Sequence, residues 1–411
     1  MNSHKIIFFF YNRLNDPLIQ SNIFLYINEL TRSSDHKYKF SVISFEDRNI
    51  PISEIEKDKL NREFLKRNIT WEPLNWHSGD SLIIKFIDLT LAFFKLLKLR
   101  ISGYKHCVTL GSIAGSFIYI ISRIIPIKYY LYQYEPHSEY LEDTKVWNKE
   151  SLQFKILNKL ERNSVMKCAV VSSGTNYMQE RLESWKVNNP FYKVTSVAND
   201  KLFNYSEKLR LEIRNQLNVS EEQKLIIYPG KVGGVYANAQ QLILLIKEMS
   251  RLNENFRFLI VTPNSLEVLN EIEILAPEIK SLTMILPPLS LEKMPAYLSA
   301  ADLGIVSVLP GASQKFRSNI KVGEYLCAGL PYLICQGISE DDLIAENNSV
   351  GIVIKDLKPE FVREANAKIN SILSIPKTEI AIRCRDIGLN YRGFTNQHQQ
   401  FTKALQSLIE S

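Results

Sequence analysis

Ser313-Gln-Lys-Phe-Arg-Ser318-Asn-Ile-Lys321-Val-Gly-Glu324-Tyr-Leu-Cys-Ala-Gly329-Leu-Pro331 is the stretch on which the reading turns. Its second half predicts a helix over 319–328, closed by Gly329 and Pro331, because glycine just past a last turn and proline beyond it stop a helix. Ser318 is the expected N-cap, a side chain able to satisfy amides that a first turn leaves open. The amides of Asn319, Ile320 and Lys321, with the helix dipole behind them, then make an anion site. Lys315, Arg317 and Lys321 add positive charge around it, and Glu324 is a suitable acceptor for both hydroxyls of a ribose. An anion site and a carboxylate on one helix suit a nucleoside diphosphate. Without a ligand, the same residues make an ordinary capped helix with Lys321 and Glu324 as a surface pair.

The flanks alternate strand and helix. Before this stretch, 291–300 reads as a helix and 303–307 as a strand; after it, 332–335 is a strand. Further out, strands at 225–228, 256–261 and 282–286 are separated by helices at 237–251 and 266–274. The N-terminal half has strands at 5–11, 38–45, 106–110, 128–134 and 168–172, and helices at 18–31, 115–124, 149–165 and 176–183. Strands spaced by helices of this length imply βαβ units and parallel sheets. The expectation is an α/β fold of two tandem Rossmann-like, doubly wound domains facing across a cleft, with ligands beyond the strand C-termini. The polar segment 199–216 parts the halves; the linker is placed near 200–206 and the domains at 1–202 and 203–393. The last helix, 394–411, need not belong to the second sheet and is free to pack back on the first domain.

The second half opens on Tyr228-Pro-Gly230-Lys231-Val-Gly233-Gly234-Val-Tyr236, between a strand and a helix. Gly230, Gly233 and Gly234 permit close backbone approach and positive φ, and Lys231 adds a cation. That suits a diphosphate; the alternative is a plain βα turn with an exposed lysine. Neither GxGxxG nor a P-loop occurs, and the turn after the first strand, Asn12-Arg-Leu-Asn-Asp16-Pro17, lacks glycine. Both facts argue against NAD-dependent reduction and ATP hydrolysis. In the first half, Tyr134-Glu135-Pro136-His137 follows a strand. His137 is a candidate to bond a sugar or an acceptor hydroxyl, or else a turn histidine facing solvent; Glu135 and Glu139 are candidate bases. The run 86–100, apolar nearly all round with Lys95, Lys98 and Arg100 at one end, is expected to be a buried helix with a cationic C-terminus. Its alternative is a basic, apolar face for anionic lipid.

Composition bounds the rest. With 411 residues, 45% of them hydrophobic and 23% charged, the chain can hold two or three cored domains and is neither disordered nor collagen-like. A net charge of +6 is too mild to argue for a nucleic-acid binder. The five cysteines show no CxxC or Cys/His spacing for zinc and read as reduced thiols. The opening MNSHKIIFFFYNRLND does not read as a secretory signal, and no run has the ~18 apolar residues of a spanning helix. A cytoplasmic protein is expected, with peripheral contact at the inner face of a membrane as its one membrane role.

Ser318 to Pro331 resembles the donor-nucleotide helix of retaining, two-domain glycosyltransferases of family 4, which have the GT-B fold. The turn 228–236 is similar to that family's phosphate-binding turn. LEKMPAYLSAADLGIVS at 291–307 resembles its helix-plus-strand before the donor loop, and SVANDKLF at 196–203 its interdomain crossing. The resemblance is strong over about 220–355 and weaker over 1–200. It implies transfer of a sugar from a UDP- or GDP-linked donor, with retention and with no required metal or bound cofactor. The acceptor would be a glycan or lipid-linked molecule in surface polysaccharide synthesis. By position, Lys231 would contact the diphosphate and Glu324 the ribose. Gly230, Gly233, Gly234, Arg317, Ser318, Asn319, Ile320 and Lys321 would complete the donor site, and His137, Lys231 and Glu135 are the catalytic candidates. Two departures stand out. Phe316 occupies the place of a family glutamate eight positions before the ribose glutamate, so contacts to the donor sugar would fall to the 311–313 backbone or Gln314. The turn's usual second basic residue is also missing after Lys231, with Arg317 as the substitute. Two alternatives remain: a nucleotide-sugar 2-epimerase, for which 308–317 offers no carboxylate or histidine, and a non-catalytic glycosyltransferase-like subunit, which Phe316 favours.

Overall fold

A computed structural model of the chain describes residues 3–16, 18–33, 37–79, 81–233 and 238–411. Gly234, Val235 and Tyr236 of the glycine-rich turn lie outside them. The chain forms two compact units, Met1–Thr195 with Gln397–Ser411, and Ser196–Asn396.

The first unit is built on β1 (His4–Phe10), β2 (Tyr38–Asp47), β3 (Ile69–Trp76), β4 (His106–Leu110), β5 (Lys128–Tyr132), β6 (Val170–Ser173) and β7 (Phe191–Lys193). Its sheet runs β3-β2-β1-β4-β5-β6-β7, and its pairings are parallel. The second unit uses β8 (Lys224–Pro229), β9 (Phe256–Val261), β10 (Thr283–Leu286), β11 (Leu303–Ile305), β12 (Tyr332–Cys335) and β13 (Gly351–Ile354) in the order β10-β9-β8-β11-β12-β13. These pairings are parallel too. Both orders reverse after the first strand of their unit, at β1/β4 and at β8/β11. That reversal opens a crevice at the carboxyl ends of the two strands, where open α/β sheets bind ligands.

The continuous apolar runs explain the parallel sheets. Ile6 to Phe10 and Ile226 to Tyr228 are buried, as strands covered by helices on both faces must be. The covering helices are amphipathic; Ala239–Leu252 turns Leu242, Ile243, Leu245, Ile246 and Met249 into the core. Three strands escape the sequence reading. β3, ITWEPLNW, carries Pro73, Glu72 and Asn75 at the sheet edge, where an unpaired side tolerates proline. β7 is three residues long, and β13 has only a four-residue GIVI run.

The run 86–100 corrects an expectation. It lies in the helix Leu82–Ile101, which is not buried all round. Asp88, Ala92, Leu96 and Leu99 face inward, whereas Ile83, Phe86, Phe94 and Ile101 are 64–80% exposed. The helix follows the edge strand β3, so no further strand and crossover helix extend the sheet to cover its outer side. Among the described residues, no helix is long and apolar enough to cross a membrane.

Candidate functional site

In the second unit, the β8 turn and the helix Ile320–Cys327 come together at the β8/β11 reversal. A Cβ on Gly230 would lie 2.9 Å from both Cε and Nζ of Lys321, so the lysine end occupies the space that glycine leaves. The ammonium also sits 5.8 Å from the centre of the Tyr228 ring. Tyr228 donates its hydroxyl to the Lys231 carbonyl at 2.8 Å, and Val232 N–H donates to Asn264 Oδ1 at 3.2 Å, which pins the turn. Gly233 adopts φ +89°, a conformation L side chains rarely take. Lys231 itself is exposed.

The helix start differs from expectation. Asn319, not Ser318, is the N-cap; its Oδ1 accepts from Lys321 N–H at 3.0 Å. Ser318 is committed elsewhere. Its hydroxyl accepts from Ser196 N–H at 3.0 Å and from the Arg392 guanidinium, and its carbonyl accepts from the Ser196 hydroxyl at 2.7 Å. Arg392 in turn pairs with Asp341; both side chains are fully buried. Of the three amides expected to face an anion, that of Lys321 therefore already has a protein partner. Arg392 and Asp341 were not foreseen, because no local pattern marks residues that act on a helix from distant elements.

Electrostatics set Lys321 and Glu324 apart from a surface pair, for both are half-buried. Burial holds the Lys321 ammonium below the usual lysine range and outweighs the pull of Glu324; Arg317 adds to the lowering. Burial pushes the Glu324 carboxyl up to about 7, against the opposing effect of Lys321. Arg317 reaches Gln314 Oε1 at 3.4 Å. Phe316 is buried, with Lys315 above its ring at 5.0 Å.

In the first unit, Glu135 and His137 form a pair at the β5 end, Nδ1 to Oε1 at 2.7 Å. Glu135 is buried beneath the partly exposed imidazole, where its carboxylate fixes the ring. The loop is held by Ser112, whose hydroxyl donates to Glu135 O at 2.9 Å and accepts from His137 N–H at 3.3 Å. Glu139 is engaged by Arg181 at 2.9 Å.

No protein-family profile and no curated protein sequence matches this chain. Solved structures do. Sucrose-phosphate synthase from Thermosynechococcus elongatus is similar at TM-score 0.73 and 13% identity, with 99% of each chain covered. A glycosyltransferase from Rickettsia africae reaches 0.69 at 13% identity over all of both chains. Anabaena HepE in complex with UDP-glucose reaches 0.67 at 14% identity, covering 98% of this chain and 99% of that one. At such identities the likeness shows the fold: two parallel-sheet α/β domains of the GT-B type.

Proposed function

We propose that the protein is a glycosyltransferase of the retaining, family 4 kind, moving a sugar from a nucleotide-sugar donor to a glycan or lipid-linked acceptor without a required metal. The observation that carries this reading is the meeting of Gly230 with Lys321 at the β8/β11 reversal, with Glu324 one helical turn further on. A diphosphate needs close backbone approach and a cation, and a ribose needs a carboxylate acceptor; this one place offers all three. In this reading the second unit binds the donor through Gly230, Lys231, Gly233, Gly234 and the segment Arg317 to Glu324. The first unit binds the acceptor, with His137, oriented by Glu135, bonding the transferring sugar or the acceptor hydroxyl. When the acceptor oxygen bonds to the anomeric carbon, the bond to the diphosphate breaks, its electron pair leaves with the phosphate, and the acceptor's hydroxyl proton passes to that leaving phosphate oxygen. Lys231 and Lys321 stabilise that charge. UDP is the favoured nucleotide, since HepE, similar over nearly the whole chain, is described with UDP and UDP-glucose.

The exposed side of the helix Leu82–Ile101 supports peripheral contact with an anionic membrane face at the cytoplasmic side. Its only carboxylate, Asp88, is buried. Lys98, Lys105 and Arg123 are exposed close to the exposed Ile101 and Ile124, and Arg100 ties the helix end to that turn through the Pro126 carbonyl at 3.0 Å. Apolar side chains fringed by cations are what an anionic bilayer surface selects.

A thermal-shift panel of UDP-, GDP-, ADP- and CMP-sugars tests the donor reading. A selective ligand at ~100 times its Kd adds ~2.7 kcal/mol; no response to any nucleotide sugar overturns it. The buried Phe316 also fits a non-catalytic subunit. Release of UDP from UDP-glucose that collapses in Lys231→Ala separates an enzyme from that alternative.

A further inference from the structure

Asp88, on the inward face of the helix Leu82–Ile101, is fully buried and bonded on both oxygens. Oδ1 is 2.6 Å from Nδ1 of His77, and Oδ2 accepts from the Tyr11 hydroxyl. Lys85 donates to the Tyr11 oxygen at 3.1 Å and lies 4.9 Å from the centre of the Tyr11 ring. Tyr11 directly follows β1 and His77 directly follows β3, so the cluster stands on the carboxyl edge of the first sheet, where α/β proteins bind ligands. It is separate from the His137–Glu135 pair, which follows β5.

The bonding decides what the cluster offers. A carboxylate bonded to Nδ1 places a proton there, and in the neutral ring Nε2 then keeps its lone pair. Asp88 is sealed inside and Tyr11 is half-buried, whereas the His77 side chain is 34% exposed. The group presented outward is therefore an oriented hydrogen-bond acceptor. Its complement is a hydroxyl, which donates; an unprotonated phosphate or carboxylate, which cannot donate, has no partner in Nε2. Tyr11 and His77 together compensate the buried carboxylate with a hydrogen bond on each oxygen, and the bond to Nδ1 fixes the ring's orientation.

We infer that His77, set by Asp88, is a binding residue for a hydroxyl of a neutral sugar-class acceptor. The class of acceptor rests on the proposed glycosyl transfer; the hydrogen-bond polarity of the site does not.

The test uses the full chain with 15N-labelled histidine, whose six residues are separable by side-chain NMR, the His77 signal being assigned by its loss in His77→Gln. The free protein should show His77 as the Nδ1–H tautomer. Titration with glucose, galactose, mannose or N-acetylglucosamine should shift its Nε2 line, and sulfate, which has no proton to donate, should not. His77→Gln keeps a donor for Asp88, so it stays folded, and it should raise the KM for the responding sugar in transfer from UDP-glucose about tenfold with kcat changed less. An Nε2–H tautomer, a response to sulfate instead of sugars, or no response to any of the four sugars would overturn the inference. A sugar response without any UDP-sugar binding would sink the donor reading and leave His77 standing; the reverse would do the opposite.

Discussion

The Lys321 ammonium fills the place where a side chain on Gly230 would stand, 2.9 Å from the position of its Cβ. The glycine's value thus lies in what another element puts over it. Gly230→Ala meets the far end of the flexible Lys321 side chain and, at 3.2 Å, the Tyr228 hydroxyl, so Lys321 swings aside, the hydroxyl gives by a few tenths of an ångström, and stability changes by about 1 kcal/mol or less. Affinity for UDP should fall about tenfold, or ~1.4 kcal/mol, by calorimetry. Unchanged UDP affinity would separate the turn from nucleotide binding.

Glu324 makes stability depend on pH, and under the proposed donor site it does the same for binding. Its carboxyl titrates near 7 in the fold and at about 4.3 in an unfolded chain. Between those values the folded state holds the extra proton, so this residue's contribution is intact below the lower value and is lost as pH rises through 7. Urea unfolding from pH 4.5 to 8 should show wild type losing stability relative to Glu324→Gln as pH rises. Because the ribose needs the ionised form, UDP affinity of wild type relative to the variant should rise over the same interval.

Arg392, itself paired with Asp341, holds Ser318 from beneath the helix start. Removing one partner strands a buried charge, so Arg392→Ala should cost ~3–5 kcal/mol in chemical denaturation. The double variant Arg392→Met with Asp341→Leu should recover part of that stability without restoring nucleotide affinity, since Ser318 keeps its bonds to Ser196 but not the one to the guanidinium. Equal affinity in wild type and double variant would confine the pair to a structural role.

Phe86→Asp and Phe94→Asp place charge on exposed positions, so folding should be unaffected. In flotation with phosphatidylcholine vesicles, wild type should bind only when phosphatidylglycerol is included, and the variants should stay unbound. Equal flotation of variants and wild type would remove this helix face from any membrane contact.

The helix Ile320–Cys327 and its Gly329–Pro331 stop were legible because capping and periodicity are local. The apolar runs were equally plain, and with them the alternation that makes a parallel sheet. Even so, Asn319 took the cap foreseen for Ser318, because Ser318 is drawn off by Ser196 and Arg392, one next to the crossing between units and the other far along the chain. The edge strand β3 was hidden by its proline and polar residues, and the burial of the helix after it was overestimated, since hydrophobicity does not say which face finds a neighbour.

What the amino-acid order determined by itself was therefore the succession of strands and helices, the doubly wound class and the two segments suited to a diphosphate and a ribose. Only the tertiary structure decided that Lys321 covers Gly230, that Asp88 engages Nδ1 of His77, and that an apolar stripe faces solvent. The physical reason is range: caps, periods and turns are settled within a few residues, whereas burial and hydrogen-bond partnership depend on which distant elements the sheet order sets side by side.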